Sequence, residues 1–230
     1  MPNPILPTGK EKEVFVKEMF NSISPSYDRI NRIMTFRFDQ VWRRQSLRSL
    51  NLPARSTILD LACGTGDFVK MARAQGHRCV GTDFSIGMLS HSQLFGDLVV
   101  SDALNLAFSD SSFDAVTCGF ALRNFTDLIP VFIELARVLR PGGRVALLEV
   151  AQPSSLILKA GHAIYFNKLV PIIGGMLSDK NAYRYLPASV SYLPPPATIV
   201  ELLVKAGFSN ISHSRLTTGA AQLFTATKAG

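Results

Sequence analysis

One stretch of the chain carries residue types suited to a nucleotide-type ligand. It runs from Ile58 to Asp67, where an apolar segment meets Gly64-Thr65-Gly66 and an apolar helical pattern follows. Glycines in such a turn let the backbone approach a ligand where a Cβ would clash. An acidic residue, Asp83, ends the next apolar segment, at about the distance from the glycines expected of a ribose-binding acid. The pattern predicts a ligand site of the doubly wound α/β class.

The turn lacks the third glycine of dinucleotide sites. Those sites use G-x-G-x-x-G and place a pyrophosphate on the N-terminus of the following helix. Here Asp67 follows Gly66 directly. A carboxylate at that place repels a pyrophosphate but tolerates a cation such as S-adenosylmethionine, which carries a sulfonium and an ammonium. The turn therefore favours S-adenosylmethionine over NAD and disfavours a hydride-transferring dehydrogenase.

Three carboxylates follow predicted strands, where open α/β sheets bind their ligands. Asp60 would orient the glycine turn and a ligand ammonium, and the alternative is a carboxylate that only caps the turn. Asp83 would accept hydrogen bonds from both ribose hydroxyls, or cap the helix that begins at Ser85, and both can hold. Asp102 and the backbone of Ala103 would bind an adenine edge, although a turn or cap Asp is equally common there.

A further pair of candidates follows the predicted strand Phe113–Phe120. Arg123 and Asn124 would emerge at its carboxyl end, over the cleft. An arginine there can bind an oxyanion or a polarised hydroxyl. The structural alternative is an ion pair with Asp114 or Asp127, and the spacing leaves both interpretations open.

The N-terminal region is predicted to be helical. Its amphipathic pattern places Tyr27, Asp28 and Asn31 where they could fold over the site, although alone they would be ordinary surface residues. Residues 11–22, a second region that ends near Phe38, and residues 40–50 read as three helices.

Strands and helices alternate in the rest of the chain, which predicts a doubly wound α/β fold with a mostly parallel sheet. Further helices are expected near Phe68–Gln75, Ile86–Gln93, Leu128–Val138 and Ala197–Ala206. Seven strands are predicted, at Thr57–Ala62, Arg78–Asp83, Leu98–Ser101, Phe113–Phe120, Arg144–Val150, Asn210–Leu216 and Ala221–Thr227.

The chain is predicted to form one domain in four parts. Residues 1–55 form an N-terminal helical cap and residues 56–150 the cofactor-binding core. Residues 151–195 form an apolar helical insertion over the cleft, and residues 196–230 add a helix and a hairpin that complete the sheet.

The composition indicates the cellular compartment of the protein and the kind of surface it could bind. The three cysteines lack Cys-x-x-Cys spacing, so we expect reduced cytoplasmic thiols and no metal site. The N-terminal residues are polar, and we expect no signal peptide. The net charge is +7. An N-terminal window concentrates the arginines Arg29, Arg32, Arg37, Arg43, Arg44, Arg48 and Arg55.

That basic window is either a solvated helix face or a surface for anionic lipid. Nucleic acid is disfavoured because no aromatic-plus-basic cluster accompanies it.

Several segments together resemble the ubiquinone/menaquinone C-methyltransferase family, within the class I methyltransferases that use S-adenosylmethionine. The glycine run is common to many methyltransferases, whereas other matches are more specific to the family. Those matches are Tyr27 to Asn31, Trp42-Arg43, Phe120 to Asn124, Arg137 to Gly143, Tyr183 to Leu186, Ala206 to Phe208 and Leu216 to Gly219.

The resemblance implies a set of cofactor contacts and an acceptor site. The cofactor contacts would come from Asp60, Gly64, Thr65, Gly66, Asp83, Phe84, Asp102, Ala103 and Gly119. Gly119 stands where the family usually has a serine, so this chain offers no hydroxyl there. Arg123 would stabilise a phenolate, Tyr27 and Asn124 would orient the ring, and Asp28 would take the proton.

The implied activity is methyl transfer to carbon on a polyprenylated quinol, with demethylmenaquinol as acceptor. Residues 156–177 would cover the prenyl tail. The enzyme would bind an anionic membrane surface from the cytoplasm. Whether it forms a homodimer is left open. Two departures from the family pattern, at Pro194-Pro195-Pro196 and at Leu223-Phe224, are expected near the substrate. They leave open an O- or N-methyltransferase of another apolar metabolite. A non-catalytic regulator that binds S-adenosylmethionine is the remaining alternative.

Overall fold

The computed structural model describes residues 7–92, 94, 96–151, 185 and 188–230. The helices of these residues are Gly9–Ile23 (α1), Tyr27–Met34 (α2), Phe38–Ser49 (α3), Asp67–Ala74 (α4), Ile86–Ser90 (α5), Leu128–Val138 (α6) and Pro196–Lys205 (α7). The strands are Thr57–Leu61 (β1), Arg78–Asp83 (β2), Leu98–Val100 (β3), Phe113–Gly119 (β4), Leu139–Val150 (β5), Phe208–Leu216 (β6) and Ala221–Lys228 (β7). Short 3₁₀ turns lie at Leu122–Asn124, Val190–Tyr192 and Thr217–Gly219.

The seven strands form one sheet in the order β3-β2-β1-β4-β5-β7-β6. The strands β1 to β5 pair in parallel, and β7 lies antiparallel between β5 and β6. The predicted doubly wound, mostly parallel sheet with a closing hairpin is confirmed. Because β1, β2 and β4 are parallel neighbours, their carboxyl ends meet at one edge of the sheet.

Two element boundaries differ from the sequence prediction. Strand β5 begins at Leu139, five residues before the predicted start, because Leu139 already pairs with Phe113. The Pro-Gly-Gly stretch that predicted a turn lies within β5 instead. The pairing of β5 with β4 is irregular there, and Gly142 has φ +75°. The predicted second helical region is divided, because Phe36 and Arg37 adopt left-handed φ values of 50° and 64°.

The sheet is covered on both faces, so its central strands are buried throughout. On one face, α6 and α7 contribute a core that includes Phe132, Leu135 and Leu203. On the other, α3 and α4 contribute Trp42 and Phe68. The three cysteines are free and buried.

One of the two departures from the family pattern, at Phe224, does not face the cleft. Phe224 is fully buried in the core beside α6 and α7, and its ring stacks on His213 with the centroids 4.6 Å apart. Pro196 is the first residue of α7 and Pro195 is its N-cap, positions where a missing backbone N–H costs nothing. Phe224 therefore lies away from the cleft, against expectation, whereas the position of Pro194-Pro195-Pro196 relative to the substrate stays a prediction, because most of residues 151–195 lie outside the described residues.

Helix α1 lies against the sheet edge and is attached to α5. The Asn21 Oδ1 atom accepts hydrogen bonds from the Ser85 hydroxyl at 2.7 Å and from the Gly87 amide at 2.9 Å. Farther along, the buried Lys12 ammonium donates to the Phe125 carbonyl at 2.7 Å.

The predicted insertion at residues 151–195 lies mostly outside the described residues. Among the helices of the described ranges, none is long and apolar enough to cross a bilayer.

The contact between α1 and α5 can be tested at Gly87. A Cβ at this position would lie 2.9 Å from the Asn21 Cα and 2.8 Å from its Oδ1, so Gly87→Ala must push α1 away. Overpacking of this kind costs roughly 1–3 kcal/mol. We expect faster hydrogen exchange in α1, with exchange in β1 and β4 unchanged. Ser90→Ala, in the exposed part of α5, is the control. Unchanged exchange in α1 would contradict this account of its docking.

Candidate active site

A cleft of about 870 Å³, including the volume open to solvent, lies at the carboxyl ends of β1, β2 and β4. The structure brings many of the predicted site residues to it. Those that border the cleft are Tyr27, Gly64, Asp83, Phe84, Asp102, Ala103, Gly119 and Asn124. Val16 and Phe20 of α1 form part of the opposite wall.

The glycine turn is attached to β2 through Asp83. The Asp83 Oδ2 atom accepts from the Gly64 amide, and Oδ1 accepts from the Ser85 amide, both at 2.9 Å. Gly66, at φ +87°, precedes the first residue of α4 and adopts a backbone conformation that favours glycine. The side chain of Ser85 itself caps α5, so the predicted alternative that Asp83 is the cap is wrong.

Asp83 retains the capacity to bind a ribose. A carboxylate has about four acceptor positions, and two are used by amides. Burial raises the pKa of Asp83, whereas the hydrogen bonds from the Ser85 and Gly64 amides oppose that shift. The side chain thus presents acceptors at the cleft wall, as a pair of ribose hydroxyls requires.

Asp60 lies beneath the cleft with one oxygen unpartnered. It is 1% exposed, and Oδ1 accepts from the Thr117 hydroxyl at 2.8 Å. The other oxygen, Oδ2, has no hydrogen-bond partner among the described residues. Burial raises the pKa of Asp60 to about 7, against the opposing effects of the Arg43 charge and the Thr117 bond.

An unpartnered buried carboxylate oxygen is costly, and a ligand ammonium would satisfy it. The observed bond goes to β4, so the prediction that Asp60 orients or caps the glycine turn is wrong.

The N-terminal helices contact the glycine turn through polar side chains. Asp28 Oδ1 accepts from the Thr65 hydroxyl at 2.6 Å. Asp67, which the sequence placed against a ligand phosphate, instead accepts from Arg32 at 3.2 Å and from Gln40 at 2.9 Å. The Asp67 charge is therefore shared with α2 and α3, which weakens the argument from anion repulsion.

Arg123 forms a buried ion pair that the sequence did not predict. Its Nη1 atom donates to Glu149 and to the Phe120 carbonyl, and its Nε donates to the Ser189 hydroxyl at 3.1 Å. Glu149 is fully buried. An acid near the end of a predicted buried strand was the available signal, because such a charge must find a partner.

The two partners considered from the sequence are occupied elsewhere. Asp114 binds Arg140, and Asp127 caps α6 by accepting from the Ile129 amide at 3.0 Å. An ion pair with Asp114 or Asp127 was therefore the wrong alternative.

Three further polar groups surround this ion pair. The Oδ1 atom of Asn124 and the hydroxyl of Tyr185 are buried without a hydrogen-bond partner among the described residues. Burial raises the pKa of both Tyr27 and Tyr185, and the Arg123 charge opposes the shift in each case. Arg123 is thus close enough to act on two phenols, one of which borders the cleft.

Asp102 stabilises a turn, which is the structural role that the sequence left open. Its Oδ1 atom accepts from the Leu104 amide at 2.9 Å, which stabilises the turn after β3. Asp102 and Ala103 still border the cleft, so a turn and a base-binding role coexist geometrically. Among the described residues, no group of His, Cys, Asp and Glu has the arrangement of a metal site.

The fold and site define a class I methyltransferase, and the groups they present fit S-adenosylmethionine: Asp60 for the ammonium, Asp83 for the ribose and the Ala103 backbone for the adenine. The chain belongs to the ubiE/COQ5 methyltransferase family, whose model matches residues 8–228. S-adenosylmethionine is accordingly its cofactor.

The relatives of the chain agree with this assignment, and a solved structure agrees with the fold. The chain is 38% identical to the demethylmenaquinone methyltransferase of Roseiflexus sp. (strain RS-1), with 100% of both chains covered. It is 36% identical to the ubiquinone/menaquinone biosynthesis C-methyltransferase UbiE of Geotalea daltonii, which covers 95% of this chain and 98% of the relative.

A solved S-adenosylmethionine-dependent methyltransferase from Thermotoga maritima superposes with a TM-score of 0.67 at 19% identity, covering 92% of this chain and 99% of its own.

Asp60→Asn should separate stability from cofactor binding. The pKa of Asp60 is raised from 3.8 to about 7 in the folded protein, so its contribution to stability is lost as pH rises through that window. Without ligand, we expect the substitution to increase the free energy of unfolding relative to wild type at pH 8 but not at pH 4. At pH 8 it should also weaken S-adenosylhomocysteine binding.

Urea unfolding and calorimetry at both pH values provide the measurements. A stability difference that does not change with pH would contradict the shifted pKa.

Proposed function

We propose that this protein methylates a ring carbon of a reduced polyprenylated quinone, with demethylmenaquinol as the acceptor. The observation that carries the proposal is the buried Arg123–Glu149 pair, which lies next in the chain to Asn124, a residue that borders the cleft and whose Oδ1 atom is unpartnered among the described residues. The names of the full-length relatives support the same acceptor.

The main task of these residues is to make a ring carbon nucleophilic. Bound S-adenosylmethionine supplies a methyl group on a sulfonium that leaves as a neutral thioether. The carbon becomes reactive when a neighbouring ring hydroxyl loses its proton, and a positive charge stabilises the resulting phenolate. Burial raises the pKa of the Tyr27 phenol at the cleft wall, and the Arg43 charge, a hydrogen bond with Asn31 and the Arg123 charge oppose that shift. The Arg123 charge therefore reaches a phenol at the cleft and is suited to stabilise the phenolate of a bound quinol.

Other side chains orient the ring and remove protons. Asn124 offers a buried amide oxygen to a ring hydroxyl, and Tyr27 offers a phenol that also borders the cleft. Asp28 remains the proposed proton acceptor, since its charge acts on Tyr27, although its Oδ1 atom also accepts from Thr65. Orientation of this kind accounts for about 7–11 kcal/mol of the barrier in well-aligned reactions.

The position of the transferred methyl decides between this proposal and an O- or N-methyltransferase. We expect isotope-labelled methyl from S-adenosylmethionine to appear on carbon in demethylmenaquinol presented in micelles, as read by mass spectrometry and NMR. A methyl on oxygen, or cofactor binding without turnover of any quinol, would contradict the proposal.

The role of Arg123 is best tested with its partner removed as well. Arg123→Ala alone leaves Glu149 buried and unpaired, at a cost of roughly 3–5 kcal/mol of stability. We therefore pair Arg123→Met with Glu149→Gln. We expect kcat and kcat/KM to fall together by about 10²-fold, with S-adenosylmethionine affinity nearly unchanged.

Arg140→Met with Asp114→Asn removes a more exposed ion pair and serves as the control. Normal turnover in the first double variant would show that the Arg123–Glu149 pair is only structural.

We also propose that the protein visits an anionic membrane surface through its N-terminal helices. Ile33, Phe36, Phe38 and Val41 are exposed apolar residues in this region, and Phe36 is 72% exposed. Arg37, Arg44 and Arg48 are exposed beside them. Val41, Arg44 and Arg48 have the spacing of one helix face. Apolar side chains that enter the interface and cations that face it act together in peripheral binding.

Liposome flotation tests this surface. We expect the protein to float with anionic vesicles at low salt and to be released at high salt, because basic residues contribute roughly 1 kcal/mol each before screening. Arg44→Glu with Arg48→Glu should abolish flotation, as should Phe36→Asp. The control is Arg78→Glu with Arg215→Glu, which changes the net charge by the same amount at exposed sites outside α1–α3. This control variant should retain most of the flotation. Equal loss in both double variants would contradict a specific membrane face.

A further inference from the structure

A second, smaller cavity adjoins the cleft between the N-terminal helices and the glycine turn. It measures about 350 Å³ and shares Tyr27, Ala62, Gly64 and Gly119 with the main cleft. Arg43 of α3 forms part of its wall, together with three carboxylates, Asp28, Asp39 and Asp67. Among these carboxylates, Asp28 already accepts a hydrogen bond from Thr65, and Asp67 accepts hydrogen bonds from Arg32 and Gln40.

Arg43 is a buried cation without a full set of partners. It is 9% exposed, and its Nε atom has no hydrogen-bond partner among the described residues. It forms a long ion pair with Asp67, whose Oδ2 atom lies 3.9 Å from Nε, too far for a hydrogen bond. A buried charge is stable only when paired and hydrogen-bonded, so this guanidinium has capacity for an anion.

Two aromatic rings and a glycine hold the guanidinium in place. Its Cζ atom lies 4.9 Å from the centroid of the Phe68 ring and 5.2 Å from that of Phe120. A Cβ on Gly119 would come within 2.7 Å of the Arg43 Nη1 atom and 2.8 Å of the Phe68 ring. The absence of a side chain at position 119 therefore lets the guanidinium rest on the end of β4, at the wall that both cavities share.

Asp60 is the complementary group. It has an unpartnered oxygen of opposite charge in the same region, and Arg43 is the largest charge effect on its pKa. No ion pair joins the two side chains in the described part of the chain. A buried cation and a buried anion that each keep an unsatisfied atom match a ligand with a carboxylate and an ammonium close together.

We propose that Arg43 binds the α-carboxylate of the amino-acid end of S-adenosylmethionine, while Asp60 takes the α-ammonium. Arg43 is then a binding residue that fixes the amino-acid end, and Gly119 makes room for it. The proposal rests on the cofactor and not on the identity of the methyl acceptor.

The test compares ligands that differ in the groups concerned. S-adenosylhomocysteine carries both the carboxylate and the ammonium, S-adenosyl-3-thiopropylamine lacks only the carboxylate, and 5′-methylthioadenosine lacks both. Calorimetry of the full chain with each ligand needs no acceptor, so its result stands whether or not a quinol is methylated.

We expect Arg43→Gln to weaken S-adenosylhomocysteine binding about 10-fold to 100-fold, the range for a lost charge-assisted hydrogen bond. Binding of S-adenosyl-3-thiopropylamine and 5′-methylthioadenosine should change by less than about 3-fold, within the scatter of distant substitutions. Arg44→Gln, which removes the neighbouring exposed arginine, is the control and should bind all three ligands like wild type.

Two results would overturn the proposal. Equal weakening of all three ligands would show that Arg43 only supports the site, and unchanged S-adenosylhomocysteine binding would exclude a carboxylate contact. If Arg43→Gln is unstable, Arg43→Lys replaces it, since it keeps the charge but loses the fork geometry and should give the same ligand ranking with a smaller loss.

Discussion

The hydrogen bonds of Asp83 are the contacts on which the geometry of the site depends. One carboxylate oxygen holds the Gly64 amide and the other holds the Ser85 amide, so the turn after β1 and the turn after β2 are joined at one point. This is possible because β1 and β2 are parallel neighbours and end at the same edge. The carboxylate that would bind a ribose thereby also sets the shape of the turn beside it.

The N-terminal helices complete the site through polar contacts more than through apolar packing alone. Asn21 attaches α1 to α5, Asp28 attaches α2 to Thr65, and Asp67 receives hydrogen bonds from α2 and α3. Such contacts contribute about 0.5–1.5 kcal/mol net for a neutral hydrogen bond and about 1.5–3 kcal/mol where one partner is charged, as at Asp28 and Asp67. These contacts place the N-terminal helices as one wall of the cofactor site.

Buried charge near the cleft occurs in two arrangements that differ in function. Arg123 and Glu149 satisfy each other, so their burial is compensated and the arginine has a fixed position near two phenols. Arg43 and Asp60 do not pair, and each keeps an unsatisfied atom. A compensated pair stabilises the position of a charge, whereas buried atoms without a hydrogen bond can gain one from a ligand on binding. The left-handed backbone of Phe120, at φ 63°, lies between these two groups and is consistent with strain at a functional site.

The sequence alone determined the architecture and the location of the site. Alternating apolar segments and glycine turns predicted seven strands and the mostly parallel sheet, because strand period and turn chemistry are local properties. The glycine run and Asp83 located the cofactor edge for the same reason.

Side-chain partnership was decided only by the tertiary structure. The sequence proposed Asp114 or Asp127 for Arg123, and the partner is Glu149, from the adjacent strand β5. It counted Arg43 among the surface arginines, and the side chain is buried between two rings. It placed Phe224 near the substrate, and the ring lies in the core. In each case the residues that contact the side chain are distant from it in sequence. Strand order and helix docking bring them together, and a local sequence pattern encodes neither.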